Sequence, residues 1–281
     1  MKAIIMKGLP GSWKSTRASK QEWYTIISRD TLRLQNPWMK ESQIKDLERS
    51  NIKQFYGLWK DIIVDNTHMN ISTAYSIIEF CENLWYEVTI QNMRIEFRNN
   101  QTYLDECLKR NNFREAGKIV PDSVIYEMYL WSAWLFDKLV ICDIDWTIAD
   151  LTHRLHYIKQ EKKDHDGFYA EVINDAPITA VIDVIKNLSI SYKIALVSGR
   201  RNDCCKDTQK WLEKYDVPYD YLLMRNSWDR RDDVDVKSDI YEKCLVDKYI
   251  VCVFDDRKRV IDMRREKGFF VFNCAQGDND F

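Results

Sequence analysis

The chain has 281 residues, enough for two compact domains, with 45% hydrophobic and 31% charged residues and a formal net charge of −2. No window approaches the roughly 18 apolar residues that suggest a membrane span. A charge this near zero argues against wrapping long nucleic acid by backbone electrostatics, yet leaves room for an enzyme that grips strand ends with a few local Arg and Lys. The eight Cys are scattered without metal-ligand spacing. Reduced cytosolic thiols, and hence a cytoplasmic location, are the expectation. Residues 1–6 are too short for a signal-peptide core.

In chain order, residues 3–6 read as a short apolar strand. It leads into Gly8-Leu9-Pro10-Gly11-Ser12-Trp13-Lys14-Ser15-Thr16. This fits G-x-x-x-x-G-K-[ST], except that Trp13 stands at the second Gly. A Gly-rich turn before a helix aims backbone N–H groups at phosphate oxygens. Gly8, Gly11, Ser12, Lys14, Ser15 and Thr16 are therefore the expected cradle for ATP. Lys14 would reach the β- and γ-phosphates and Ser15 would hold Mg²⁺. The bland reading is an ordinary strand-turn-helix connection.

Residues 25–28 read as a strand, followed by Arg29-Asp30-Thr31-Leu32-Arg33, a polar helix start in which Asp30 favours the first turn. Residues 41–57 read as a charged helix with an exposed face and no assigned role. A strand over 61–64 ends in Asp65-Asn66-Thr67-His68, where His68 reads as a loop or substrate-side residue. An amphipathic helix over 71–84, a strand over 87–91 and a helix over 100–112 follow. Arg110 and Arg114 lie four apart at the end of that helix; taken alone they are two solvated cations. Ile119-Val120-Pro121 introduces a helix to Phe136, whose Tyr126, Tyr129, Trp131 and Trp134 suggest packing against a second domain or subunit. The boundary falls near Asp137, giving domains 1–137 and 138–281.

The second half opens with KLVICDIDWTIAD. Its apolar run, 139–142, fits a strand buried on both faces of a parallel sheet. Asp143 and Asp145, one residue apart at its carboxyl end, sit where open α/β sheets bind ligands, and can converge on one metal and one phosphate. The bland alternative is an acidic loop. Residues 151–168 are rich in charge, with His153, His156 and His165 at spacings that make no zinc set; a cap or substrate-facing insert is expected. A helix from Pro177 to 188 precedes a strand over 193–197 that runs into Ser198-Gly199-Arg200. After a helix over 203–215 and a strand over 222–224, a polar stretch carries Lys237. A strand over 249–254 ends in Asp255-Asp256-Arg257, and 269–272 is the last strand.

Asp143-Ile144-Asp145-Trp146-Thr147 resembles the D-x-D-G-T signature of haloacid-dehalogenase-type phosphatases, with Trp146 in place of Gly. Ser198, Lys237 and Asp255-Asp256 follow in that family's order. With a phosphate loop ahead of them, the chain is similar over nearly its whole length to the phage polynucleotide kinase-phosphatases of the T-even type. The stretch from Arg225 to Lys237 matches their R-x-x-G-D-x-R-x-D-x-x-x-K with Trp228 at the Gly, and Gln276-Gly277-Asp278 resembles their ending.

The resemblance implies an α/β chain of two domains, each a mainly parallel sheet flanked by helices. A P-loop kinase fold comes first, then a haloacid-dehalogenase-like fold with a small cap. It implies ATP-dependent phosphorylation of 5′-OH ends and Mg²⁺-dependent removal of 3′-phosphate or 2′,3′-cyclic phosphate. Asp30 would be the general base, Arg33 a substrate-phosphate contact, Asp65 and Asn66 substrate contacts, and Arg110 and Arg114 a lid. Asp143 would be the nucleophile and Asp145 the acid and base. Ser198 and Lys237 would bind the phosphate, while Arg200, Arg231 and Arg257 grip the substrate. Asp143 and Asp145 with Asp255, Asp256 or both would hold the metal. RNA or DNA ends and a nucleic-acid ligase are the implied partners; a homo-oligomer is left open, and no membrane is involved. If the source is a phage, the location is the host cytoplasm. Two other readings stand beside this one: a phosphatase whose degenerate kinase half only binds nucleotide or strand ends, and an end-binding protein with both sites disabled.

The tryptophans bear on that choice. The chain has 8 Gly and 10 Trp, where usual composition would give roughly 20 Gly; the two together make 18. Trp13, Trp146 and Trp228 all stand at motif glycines. The expectation is that the source reads UGA as Gly and that the sequence renders it as Trp. The alternative is real divergence around rebuilt loops.

Overall fold

A computed structural model of the chain describes residues 1–68, 70–93, 100–114, 118–132 and 138–275. It divides into two compact units, Met1–Phe136 and Asp137–Phe281. Trp134, the Asp137 boundary, the 276–278 tail and the Trp131 side chain lie outside what is described. Among the described residues no helix is long and apolar enough to cross a membrane.

The first unit runs β1 (Lys2–Lys7), α1 (Lys14–Ala18), β2 (Thr25–Ser28), α2 (Arg29–Gln35), α3 (Glu41–Gly57), β3 (Ile62–Asp65), α4 (Ile71–Asn83), β4 (Glu87–Asn92), α5 (Asn100–Asn111) and α6 (Asp122–Ser132). Its sheet has the order β2-β3-β1-β4 with every pairing parallel. Inner strands of such a sheet are covered on both faces and read as apolar runs; Ala3, Ile5 and Met6 of β1 and Ile62, Ile63 and Val64 of β3 are buried. In α4, Asn70 caps the helix by accepting from the Thr73 N–H at 3.2 Å, and Ile71, Ala74, Ile78 and Cys81 bury one stripe. The charged helix α3 is not merely an exposed face. Its Ile44, Glu48 and Ile52 are buried, and Glu48 holds buried Arg29 through two hydrogen bonds of 3.1 and 2.5 Å. That fork fixes the β2–α2 junction beside Asp30.

The second unit runs β5 (Lys138–Cys142), β6 (Ala149–Asp150), α7 (His156–Lys159), α8 (His165–Ala170), β7 (Ala176–Pro177), α9 (Thr179–Leu188), β8 (Lys193–Arg201), α10 (Cys205–Lys214), β9 (Tyr221–Arg225), α11 (Asp233–Ile240), β10 (Tyr249–Asp255), α12 (Lys258–Glu266) and β11 (Val271–Asn273). Pro177 ends a short antiparallel pairing of β7 with β6 rather than starting α9. The main sheet, β11-β10-β5-β8-β9, is parallel throughout. From central β5 the chain moves to β8 on one side and later to β10 on the other. The carboxyl end of β5 is therefore a topological switch point, where such sheets open a crevice. The insert carrying α7 and α8 arises from the chain between β6 and β7.

Candidate active sites

In the first unit the loop after β1 folds over its own carbonyls. Lys14, 8% exposed, donates from Nζ to the Gly8 and Leu9 carbonyls at 2.9 and 2.7 Å and lies 3.4 Å from Ser12 Oγ. Burial draws its pKa down to about 8, against the opposing pull of Asp65. Ser15 Oγ donates to Asp65 Oδ2 at 2.6 Å, joining the start of α1 to the end of β3. Gly11 has a φ of 80°, and a Cβ there would run into the Cys107 carbonyl of α5, so this turn needs glycine.

Around these groups lies a cavity of about 320 Å³, lined in part by Thr16, Asp30, Arg33, Arg110 and Arg114. Asp30 pairs with Arg33 at 2.7 Å and Arg114 at 3.4 Å, and Arg33 also reaches Glu41 at 2.9 Å. The Arg110 guanidinium pairs with Glu106 and lies over the Trp13 ring, 3.1 Å from its centroid. His68 lies in the β3–α4 loop, as expected, but its side chain turns inward. It is 1% exposed with Nδ1 against the Met6 carbonyl at 2.9 Å, and burial depresses its pKa to about 4, so it is a neutral core residue.

In the second unit, the Asp143 N–H donates to the Phe254 carbonyl at 2.9 Å, clamping the ends of β5 and β10 together. Buried Asp143, Asp255 and Asp256 consequently each place an oxygen within 4.8 Å of the other two. Lys237, on α11, reaches Asp143 at 3.1 Å, Asp255 at 3.0 Å and Asp233, one helical turn back, at 3.3 Å. Burial, reinforced by Asp255 and Asp256, raises the Asp143 carboxyl well above the usual range despite Lys237; burial and Asp255 push Asp256 up to about 6. Asp143, Asp233 and Asp255 hold Lys237 protonated against its own burial. One lysine leaves the three carboxylates undercompensated. Asp143 Oδ1 has no aligned hydrogen bond despite its 3.1 Å approach to Lys237. Hard oxygen donors at this spacing fit Mg²⁺.

The Asp145 carboxylate is not part of that cluster. It turns instead to two buried guanidiniums. Arg200 Nε lies 2.7 Å from Asp145 Oδ1 and Arg154 Nη2 lies 3.2 Å from it. Against burial, these two cations hold Asp145 below the usual carboxylate range. Fully buried Asp175 in turn accepts from Arg154 at 2.7 and 2.8 Å and from Arg200 at 2.6 Å. Arg200, expected to grip substrate, is wholly buried and bonded to Asp145 and Asp175. Ser198 is also fully buried, and its Oγ accepts from the Arg200 N–H at 3.2 Å. Gly199 is required by space, because a Cβ there would collide with Asp233 Oδ1.

A cavity of about 220 Å³ exposes Asp143 and Asp145, with Trp146, Asp256 and Arg257 among its walls. A second, of about 530 Å³, shares Lys163, His165, Tyr169 and Arg225 with it and adds Arg201 and Arg230. Arg257 lies 3.5 Å from Asp233. Arg231 is paired with Asp229 at 2.7 Å and Asp239 at 3.0 Å and lines neither cavity, whereas Arg225 and Arg257 line the cavity of Asp143. The three His form no metal group: among the described residues only Asp143, Asp255 and Asp256 do. Sequence reasoning missed Arg154 and Asp175 and gave no role to Asp233, which stands in the Arg225–Lys237 motif four residues before Lys237. Asp175 is 21 residues from Arg154, and nothing local links them.

The model of the polynucleotide kinase PNKP phosphatase domain matches residues 137–279. Among curated proteins, the chain is 26% identical over 316 aligned positions to "Putative bifunctional polynucleotide kinase/RNA ligase" of Autographa californica nuclear polyhedrosis virus; the match takes in 99% of this chain and 43% of that protein. The chain thus spans less than half the length of that relative. Among solved structures, one chain of the Pnkp1/Rnl/Hen1 RNA repair complex is 24% identical, with 99% of this chain and 96% of that one covered at a TM-score of 0.45. The haloacid dehalogenase-like protein SP0104 of Streptococcus pneumoniae is 15% identical, with 49% and 84% covered at a TM-score of 0.37. Half the chain, including the switch-point carboxylates and the lysine that joins them, falls within the first of these matches, and by it the protein belongs to the family of the polynucleotide kinase PNKP phosphatase domain.

Proposed function

We propose that the protein is a bifunctional end-healing enzyme with a kinase in residues 1–137 and a phosphatase in residues 138–281. It would phosphorylate 5′-OH polynucleotide ends and remove 3′-phosphate or 2′,3′-cyclic phosphate. The observation that carries this reading is the pairing of two separate phosphate-type cavities, one on the loop from Gly8 to Thr16 and one on Asp143.

In the phosphatase half, a 2′,3′-cyclic phosphate must first be opened by water at its P–O2′ bond to give a 3′-phosphate monoester. On that 3′-phosphate, an Asp143 oxygen attacks phosphorus and the bond to the terminal 3′-oxygen breaks. Asp145 gives that oxygen its proton. Water then attacks the phosphorus of the aspartyl-phosphate, passes a proton to Asp145, and releases inorganic phosphate and free Asp143. A carboxylate nucleophile splits one hard hydrolysis into two easier steps. In the ligand-free site Arg154 and Arg200 keep Asp145 ionised; the negative charge of an arriving phosphate raises its proton affinity toward that of an acid. Lys237 and Ser198 neutralise and orient the transferring group. Mg²⁺, held by Asp143, Asp255 and Asp256, would supply further charge compensation on the phosphate oxygens. The adjoining cavity, with Lys163, Arg201, Arg225 and Arg230 set among Asp164, Asp166 and Asp229, offers cations to a backbone phosphate upstream of the reacting one, which favours a polynucleotide over a mononucleotide.

In the kinase half, Asp30 accepts the proton of a 5′-OH, whose oxygen attacks the γ-phosphorus of ATP as the bond to the β-phosphate breaks and ADP leaves. Lys14, Arg110 and Arg114 offset the charge of the transferring group, with Ser15 and Asp65 at the metal side. The products, 3′-OH and 5′-phosphate ends, are what a nucleic-acid ligase joins.

A second reading, phosphatase alone, is favoured by one observation: the Trp13 indole lies in the phosphate cradle and occupies the Arg110 guanidinium. Incubation with ATP and a 5′-OH oligonucleotide, and separately with a 3′-phosphate oligonucleotide, separates them. Label transfer and phosphate release together are expected. Phosphate release alone, persisting when Trp13 is replaced by Gly, would leave only the phosphatase.

A further inference from the structure

Among the described residues, six non-glycine positions have left-handed backbone: Trp13 (φ 67°), Trp59 (55°), His68 (44°), Trp85 (62°), Trp146 (59°) and Asp216 (50°). Four are tryptophan, although the chain holds only 10 Trp in 281 residues. Asp tolerates this region because its short side chain bonds locally; a bulky side chain crowds its own carbonyl there, and glycine is the residue that adopts it freely.

Two of the four have no connection with a phosphate motif. At the end of α3, the Trp59 N–H donates to the Tyr56 carbonyl at 3.0 Å and the Lys60 N–H to the Phe55 carbonyl at 3.0 Å. At the end of α4, the Trp85 N–H donates to the Glu82 carbonyl at 2.8 Å and the Tyr86 N–H to the Cys81 carbonyl at 3.1 Å. Both are the paired closures of a helix-terminating turn that places its left-handed residue just past the cap, the position where glycine is most enriched. The end of α12 builds the same turn on Gly268, with φ 85° and the matching bonds from Gly268 to Arg265 and from Phe269 to Arg264. The Trp59 and Trp85 side chains are 81% and 65% exposed, so core packing does not account for an indole at either place. Trp211 is the contrast. It lies inside α10, 0% exposed, with Nε1 donating to the Asp175 carbonyl at 2.7 Å and its ring 5.1 Å from that of Tyr215. That site is built for an indole.

We propose that the working protein carries glycine at positions 13, 59, 85 and 146, decoded in its source from a codon that this sequence renders as Trp, and that Trp211 is a true tryptophan. The inference stands on backbone geometry and does not depend on the functional reading. Trp228 has no left-handed backbone and stays outside it. Its consequence at the first cavity is direct: with glycine at 13, the indole under the Arg110 guanidinium is gone.

Two measurements test it. The gene should read UGA at 13, 59, 85 and 146 and UGG at 211, and peptides of the protein from its source should carry glycine at the four positions. UGG codons, or tryptophan in those peptides, would overturn the proposal. In the chain as written, Trp59→Gly and Trp85→Gly should each raise the unfolding midpoint by about 2–4 °C. An unchanged or lowered midpoint for both would refute the backbone argument. Neither readout involves catalysis, so failure of the proposed activities leaves the test intact.

Discussion

Arg200 Nε stands 2.7 Å from Asp145 Oδ1, and its guanidinium is wholly shielded from solvent. An arginine so placed aims the carboxylate with its planar fork and sets its charge at once; a lysine can do only the second. Arg200→Lys should therefore lower phosphate release from a 3′-phosphate oligonucleotide by about 10²-fold with little change in KM, since Asp145 loses its orientation as acid and base. Turnover is to be read in a Trp13→Gly, Trp146→Gly background, which removes both indoles from the cavities. Near-normal turnover in a folded variant would show that Asp145 needs no such support.

The two activities should separate by mutation, because each cavity draws its charged residues from one unit. Asp143→Asn should bring phosphate release to background and leave 5′ phosphorylation unchanged, and Lys14→Ala should do the converse. Loss of both activities in either folded variant would end the two-site scheme.

Asp30, held by Arg33 and Arg114 at the mouth of the first cavity, is assigned to the acceptor hydroxyl and not the nucleotide. Asp30→Ala should cost roughly 10²–10⁴-fold in kinase turnover and little in ATP affinity. A variant with normal turnover and weakened ATP binding would reverse the assignment.

What the sequence disclosed follows from how local each signal is. Parallel sheets bury their inner strands, so 3–6, 61–64, 139–142 and 249–254 announced themselves as largely apolar runs, and the residues just after them are the ones exposed at the carboxyl ends of the strands. The loop to Lys14 and the Asp143–Asp145 pair were legible for that reason. The support behind them was not. Asp175 reaches Arg154 and Arg200 across 21 and 25 residues, and Glu48 reaches Arg29 across 19; such pairs exist only once the chain has folded. The burial of Arg200 behind Asp145 was equally hidden, because no local motif records it. Trp59 and Trp85 were passed over because their signal is a backbone angle, not a motif.

The second cavity beside the phosphatase site makes a prediction about substrate length. Arg201 and Arg230 line it and do not line the cavity that exposes Asp143 and Asp145. Replacing both with Ala removes two cations facing the position of an upstream phosphate. KM for an oligonucleotide 3′-phosphate should rise by about tenfold, the loss of roughly 1.4 kcal/mol, while hydrolysis of a 3′-mononucleotide is unchanged. Equal effects on both substrates would place the two cations at the reacting phosphate instead.

Lys14 offers a test by pH that needs no turnover. Burial lowers its pKa from the ordinary 10.5 to about 8 in the folded chain. Below about pH 8 folded and unfolded chains both hold the proton, and the cost of burying the charge is fully present. Between 8 and 10.5 the unfolded chain keeps a proton that the folded chain has lost, so stability rises with pH. Above 10.5 both are neutral and the slope vanishes. The whole relief amounts to about 3 kcal/mol. Unfolding free energies of the parent and of Lys14→Met, compared from pH 7 to 10.5, should therefore diverge in the parent's favour by about that amount, the variant serving to cancel every other titrating group. A difference that stays flat across this window would mean that Lys14 titrates as an exposed lysine. Saturating nucleotide should remove most of the slope between 8 and 10, because phosphate oxygens facing Nζ favour its charged form and return its pKa toward the ordinary value.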